Sequence, residues 1–143
     1  MLVRPRKRIW PSVMRVARSK TLRHDDGLVE RHFTVGEVPG ILWTPESAGS
    51  VPVPLIVLGQ QGGLKQMYPR LLSRSRASAG HGFATATVEL PGSGERPRID
   101  EFDQRRAELR HVALAGGTPD ADLIDRLILP LVDQAVPEWQ TTL

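Results

Sequence analysis

Two apolar runs flanking a glycine loop and a helix-length segment constrain the fold most. Leu55-Ile-Val-Leu58 is apolar at every position, the pattern of a strand covered on both faces. Gly59-Gln-Gln-Gly-Gly63 follows at once. Tyr68 to Ala79 then reads as a helix, with Pro69 suited to the first helical position and Gly80 to the stop. Phe83-Ala-Thr-Ala-Thr-Val-Glu89 is a second buried-looking run, ended by Leu90-Pro-Gly-Ser-Gly94. Strand, glycine loop, helix and strand make a βαβ unit, for which parallel strands and a right-handed crossover are the expectation.

The flanking sequence adds a hairpin and two helices. Leu28 to Trp43 alternates, with Val29, Arg31, Phe33 and Val35 on one face, a break at Gly36, and a second strand from Val38 to Trp43. Thr44 to Pro54 is dense in turn formers and predicts an exposed loop. Asp100 to Ala115 predicts a helix with a thin apolar face of Phe102, Leu109, Val112 and Ala113. A last helix is expected after an N-cap at Thr118, with Pro119, Asp120 and Asp122 favourable at its start. Ile124, Leu127, Ile128, Leu131 and Ala135 form its apolar stripe. Pro130 and Pro137 predict that it is not one straight rod. At 143 residues and 40% hydrophobic content, one α/β domain is expected.

Charge divides the chain. Residues 1–20 hold seven of the 19 Lys and Arg (Arg4, Arg6, Lys7, Arg8, Arg15, Arg18, Lys20) and none of the 16 Asp and Glu, so the rest of the chain is net acidic although the whole is +3. The basicity belongs to a tail and predicts no nucleic-acid partner for the folded part. Residues 1–27 are expected to be a disordered basic leader, with an organelle transit peptide as the alternative, and 28–143 the domain. The apolar stretch Ile9 to Met14 is broken by Pro11 and Ser12 and is too short for a signal-peptide core. No run approaches the ~20 apolar residues of a membrane-spanning helix, so no membrane partner is expected. The chain has no cysteine, which rules out disulfides, thiolate nucleophiles and cysteine-ligated zinc and makes the cytoplasm the expected compartment.

The hairpin with Pro39-Gly-Ile-Leu-Trp-Thr-Pro45, the strand ending in a glycine loop, and His81-Gly-Phe-Ala-Thr-Ala-Thr-Val-Glu-Leu-Pro-Gly-Ser-Gly94 together resemble an α/β-hydrolase of the dienelactone-hydrolase-like kind. The resemblance spans about residues 29–143, and Gly82 to Gly94 is its most specific part. It implies the N-terminal part of a hydrolase sheet, a hairpin plus a βαβ unit with flanking helices, left incomplete. The substrate it implies is an ester, lactone or similar carbonyl compound, without a cofactor. In such enzymes the nucleophile occupies a Gly-x-Ser-x-Gly turn, followed by the acid and the histidine, and no Gly-x-Ser-x-Gly occurs in this sequence. The chain is therefore expected to end short of that turn, to carry no catalytic residue, and to be inactive alone.

The resemblance assigns the loop after Leu58 to the oxyanion function, with backbone N–H donors at Gln61 and Gly62 and a supporting frame of Gly59, Gln60, Gly63, Pro91, Gly92 and Gly94. Relatives often have His-Gly-Gly here; Gln60 and Gln61 depart from that pattern. The competing reading of Gly62 and Gly63 is a tight turn with positive φ. Ser93 reads as a loop serine. None of His24, His32, His81 and His111 pairs with a carboxylate at a motif spacing; His81 reads as a helix-end residue. No metal-ligand spacing is present. Arg96, Arg98, Arg105 and Arg106 read as solvated charges, with anion contact as the alternative.

Two rival readings remain. In the first, Gly59, Gly62 and Gly63 lie under the phosphates of a dinucleotide and Glu89 binds a ribose hydroxyl, although the spacing is not Gly-x-Gly-x-x-Gly. In the second, the product is non-catalytic, its third strand left without the fifth-strand neighbour the family supplies, and it self-associates through that exposed edge.

Overall fold

The structure, a computed structural model, describes residues 16–142. It is a mixed α/β arrangement: β1 (Val16–Arg23), β2 (Leu28–Val35), β3 (Val38–Pro45), β4 (Leu55–Val57), α1 (Leu64–Ala79), β5 (Ala84–Val88), α2 (Asp100–Leu114) and α3 (Ala121–Thr142). The five strands form one sheet in the order β1-β2-β3-β5-β4. β1, β2, β3 and β5 pair antiparallel in succession, and β4 pairs parallel with β5. The expected hairpin and βαβ unit are both present.

β1 corrects the expectation of a disordered leader to residue 27. It pairs with β2 from Val16↔Val35 to Arg23↔Val29, with a register shift between Arg18 and Lys20. The basic composition that suggested a leader instead suits an edge strand, where Lys and Arg discourage pairing with other chains. Residues 1–15 of the expected leader, including the Ile9 to Met14 stretch, lie outside the described residues.

α1 packs on one face of the sheet. Leu28, Ile41, Trp43 and Leu71 form the buried cluster there, flanked by Leu58, Leu64, Met67, Tyr68, Leu72 and Ala79. Thr85 reaches across to the helix, donating from Oγ1 to Ser75 Oγ at 2.7 Å. α1 begins at Leu64, earlier than the expected Tyr68, so Pro69 lies inside the helix. Its missing N–H costs one helical hydrogen bond, and the packing of Leu64 and Met67 carries the helix through.

β5 is buried at every position. β4 is not: it is an edge strand of the sheet among the described residues, and Leu55 and Val57, two apart and so on one face, are 44% and 41% exposed. Its apolar run therefore does not mark a strand covered on both faces.

α2 and α3 pack through Phe102, Leu127 and Leu131, against which Leu90, Ile99 and Leu109 lie. The N-cap of α3 is Asp120, not Thr118: its Oδ1 accepts the Leu123 N–H at 2.7 Å. The buried stripe is Leu123, Leu127, Leu131 and Ala135, one residue out of phase with the expected one at its start, and Ile124 is exposed. α3 is continuous through Pro130 and Pro137. No described helix is long and apolar enough to cross a membrane.

Candidate functional site

The glycine loop leaves the C-terminal end of β4 and enters α1, and the loop after β5 rises beside it. In open α/β sheets the ends of parallel strands are where ligands bind. Two interior side chains hold the loops together. Gln60, buried at the position the family resemblance gives to histidine, accepts the Gly63 N–H through Oε1 at 2.8 Å and donates from Nε2 to the Val88 carbonyl at 3.3 Å. It pins the glycine loop to β5, so glutamine supplies a donor and an acceptor in one neutral group.

Glu89 does the same from the other strand. Its carboxylate, 2% exposed, accepts the Leu64 N–H at 3.0 Å and the Glu95 N–H at 3.3 Å. The first of these amides is at the start of α1, where a negative charge is favoured. Gly94, at φ +57°, lies so close that a Cβ there would be 1.6 Å from Glu89 Oε1. Gly63, at φ +84°, would place a Cβ 2.6 Å from the Gly94 Cα. Both positions need glycine for space as well as for conformation. With its oxygens engaged inside the protein, Glu89 is not placed to bind a ribose hydroxyl, and the dinucleotide reading loses its acidic residue.

The backbone N–H groups of Gln61 and Gly62 have no partner among the described residues, whereas those of Gly63 and Leu64 are taken up by Gln60 and Glu89. Gln61 is exposed and Gly62 half-buried. Gly62, Gly63, Lys65, Gln66, Gly94 and Glu95 line a cleft of about 350 Å³. Gly59 is exposed, and Pro91, Gly92 and Ser93 are buried beneath the second loop. Ser93 Oγ donates to the Leu90 carbonyl at 2.7 Å, which makes it a loop-closing residue, as its sequence context implied.

The arginines read as solvated charges all find carboxylate partners, but Arg98 stays a solvated charge, its side chain 80% exposed, whereas Arg96, Arg105 and Arg106 are largely covered. Arg96 forms a two-pronged pair with Glu138, both contacts 2.7 Å, and donates to the Glu89 carbonyl at 3.0 Å. It fastens α3 to the loop after β5. Arg98 and Arg106 pair with Asp103, and Arg105 with Glu101. His81 is exposed at the end of α1.

No histidine was expected to pair with a carboxylate at a motif spacing; the structure nevertheless pairs two histidines, His24 and His32, with Glu30, at separations of 6 and 2 residues. This fully buried carboxylate accepts from His32 Nε2 at 2.5 Å on Oε1, and on Oε2 from His24 Nε2 at 2.9 Å, Trp43 Nε1 at 2.9 Å and Tyr68 Oη at 2.7 Å. Burial alone would raise its pKa, but the hydrogen bonds from Tyr68, His32, His24 and Trp43 outweigh burial and hold it at about 2. Burial, followed by the hydrogen bond and charge of Glu30, pushes the Tyr68 hydroxyl up to about 12. Glu30 and His32 stand two apart on one strand and so share a face; that spacing was visible in the sequence. His24 comes from the turn before β2 and Tyr68 from α1, and nothing local announced them.

No protein-family model matches the chain, and no curated protein matches it. Among solved structures the chain is similar to a cold-adapted esterase from an Arctic intertidal metagenomic library, solved with polyethylene glycol bound. The two share 25% sequence identity with a TM-score of 0.44, over 83% of this chain and 49% of the esterase chain. The chain thus spans about half the length of that protein.

Proposed function

We propose that this chain is the N-terminal part of a serine hydrolase of the α/β-hydrolase, dienelactone-hydrolase-like kind, acting on an ester, lactone or similar carbonyl substrate. It supplies the oxyanion loop, and the nucleophile, acid and histidine come from residues beyond 143. The observation that carries this reading is the pair of unengaged amides at Gln61 and Gly62, fixed at the end of a parallel strand by Gln60, Glu89 and two obligatory glycines. Rigid amide donors that need not reorganise are what an oxyanion requires. The exposed edge of β4 is, on this reading, the seam where further strands add, and a chain left without them self-associates there.

Gln61→Pro in the natural gene product tests the loop by removing one amide donor. The expected result is a fall in kcat for a p-nitrophenyl ester of about 10²–10³ with KM little changed. An unchanged kcat in a folded variant removes the oxyanion assignment.

A further inference from the structure

A second cleft, of about 420 Å³, lies between β2, β3 and the first turns of α1, and it shares Lys65 and Glu95 with the cleft over the glycine loop. Pro39, Ile41 and Leu64 give it apolar walls, and His32 and Tyr68 line it from the Glu30 side. The size and the few polar groups on an apolar lining are those of a small-molecule site.

The hydrogen bonds of Glu30 decide what these polar groups offer a ligand. An ionised carboxylate only accepts, so the His32 Nε2 that meets it at 2.5 Å carries the proton. In the neutral ring Nδ1 is then a bare acceptor, held by a carboxylate as a histidine base is held in a hydrolytic triad. The Tyr68 hydroxyl proton is already given to Glu30. Around the cleft the carboxylates Glu30, Glu89 and Glu95 outnumber the single Lys65, which disfavours an anion.

We propose that this cleft binds a neutral, hydroxyl-bearing apolar group, an alcohol or phenol, whose O–H donates to His32 Nδ1. Naming the alcohol side of the ester as the occupant rests on the hydrolase reading; the binding itself does not.

The test is histidine side-chain ¹⁵N NMR on the natural gene product, titrated separately with phenol, toluene and benzoate. In the neutral ring, the free protein should show His32 protonated at Nε2 and bare at Nδ1. Phenol should move the Nδ1 resonance and bind about tenfold more tightly than toluene, benzoate should not compete, and His32→Phe should abolish the preference for phenol over toluene. Equal binding of phenol and toluene would reduce the cleft to an apolar hollow and overturn the proposal. Tighter binding of benzoate would make it an anion site at Lys65, and a His32 protonated at Nδ1 would remove the acceptor; either result overturns it. Because no nucleophile is needed, this failure is separable from failure of the hydrolase reading, which is judged by ester turnover in the natural gene product.

Discussion

Glu30→Gln removes one charge and leaves the shape of the buried cluster nearly intact. In the native protein the carboxyl is held at about 2 against an ordinary value of 4.5, so the folded protein favours its ionised form over its neutral form by about 3 kcal/mol more than water does. Glutamine stands in for the neutral form, and its amide nitrogen, even in the milder orientation that replaces Oε1, turns the acceptor of His32 into a donor that faces it. The variant should lose about 3 kcal/mol at pH 7, lowering Tm by about 10 °C. The sign of the pH dependence follows from a depressed folded pKa: the contribution is complete above the ordinary value and is lost as pH falls through the folded one. Urea unfolding of both proteins should therefore show a constant gap above about pH 5 that closes toward pH 2. A gap below about 1 kcal/mol at pH 7, or one of the same size at pH 2.5, would refute the argument that these four hydrogen bonds hold a stabilising charge.

Other expectations concern the loops and the sheet edge. Gly94→Ala drives a methyl into Glu89 and should cost about 3 kcal/mol or more in thermal melts, whereas Gly82→Ala, with a positive φ but open space around it, should cost only about 1 kcal/mol. Arg96→Ala cuts the tie between α3 and the loop after β5 and should destabilise by about 2 kcal/mol, measured by urea unfolding; a loss under a few tenths would show that the pair holds nothing. Leu55→Lys with Val57→Lys places charges on the β4 edge and should lower the self-association of the 143-residue chain in sedimentation velocity, with Tm little changed.

Which features were legible in the sequence follows from how local their causes are. The hairpin showed in a β-like pattern broken at Gly36, and the βαβ unit in apolar runs cut by glycines, because strand burial and chain reversal are written in neighbouring residues. β1 was hidden because its basic residues suggested a leader, while its reason to be a strand is the open edge of β2. The exposure of β4 was hidden for a related reason: Leu55 to Leu58 records how apolar the strand is, not what packs on its faces. The glycine loop was placed correctly, but its Gln60 and Glu89 fastenings reach 28 and 25 residues along the chain. The Glu30 cluster gathers the β1–β2 turn, two strands and a helix, and only the Glu30 and His32 spacing could have pointed to it.

The central proposal is that this chain is the oxyanion part of a serine hydrolase. Its most direct test is to label the product of the natural gene with a fluorophosphonate probe and read the intact mass and the labelled peptide together. The account predicts a product longer than 143 residues, labelled at a serine within a Gly-x-Ser-x-Gly turn that follows α3. An unlabelled product of 15.8 kDa would contradict it.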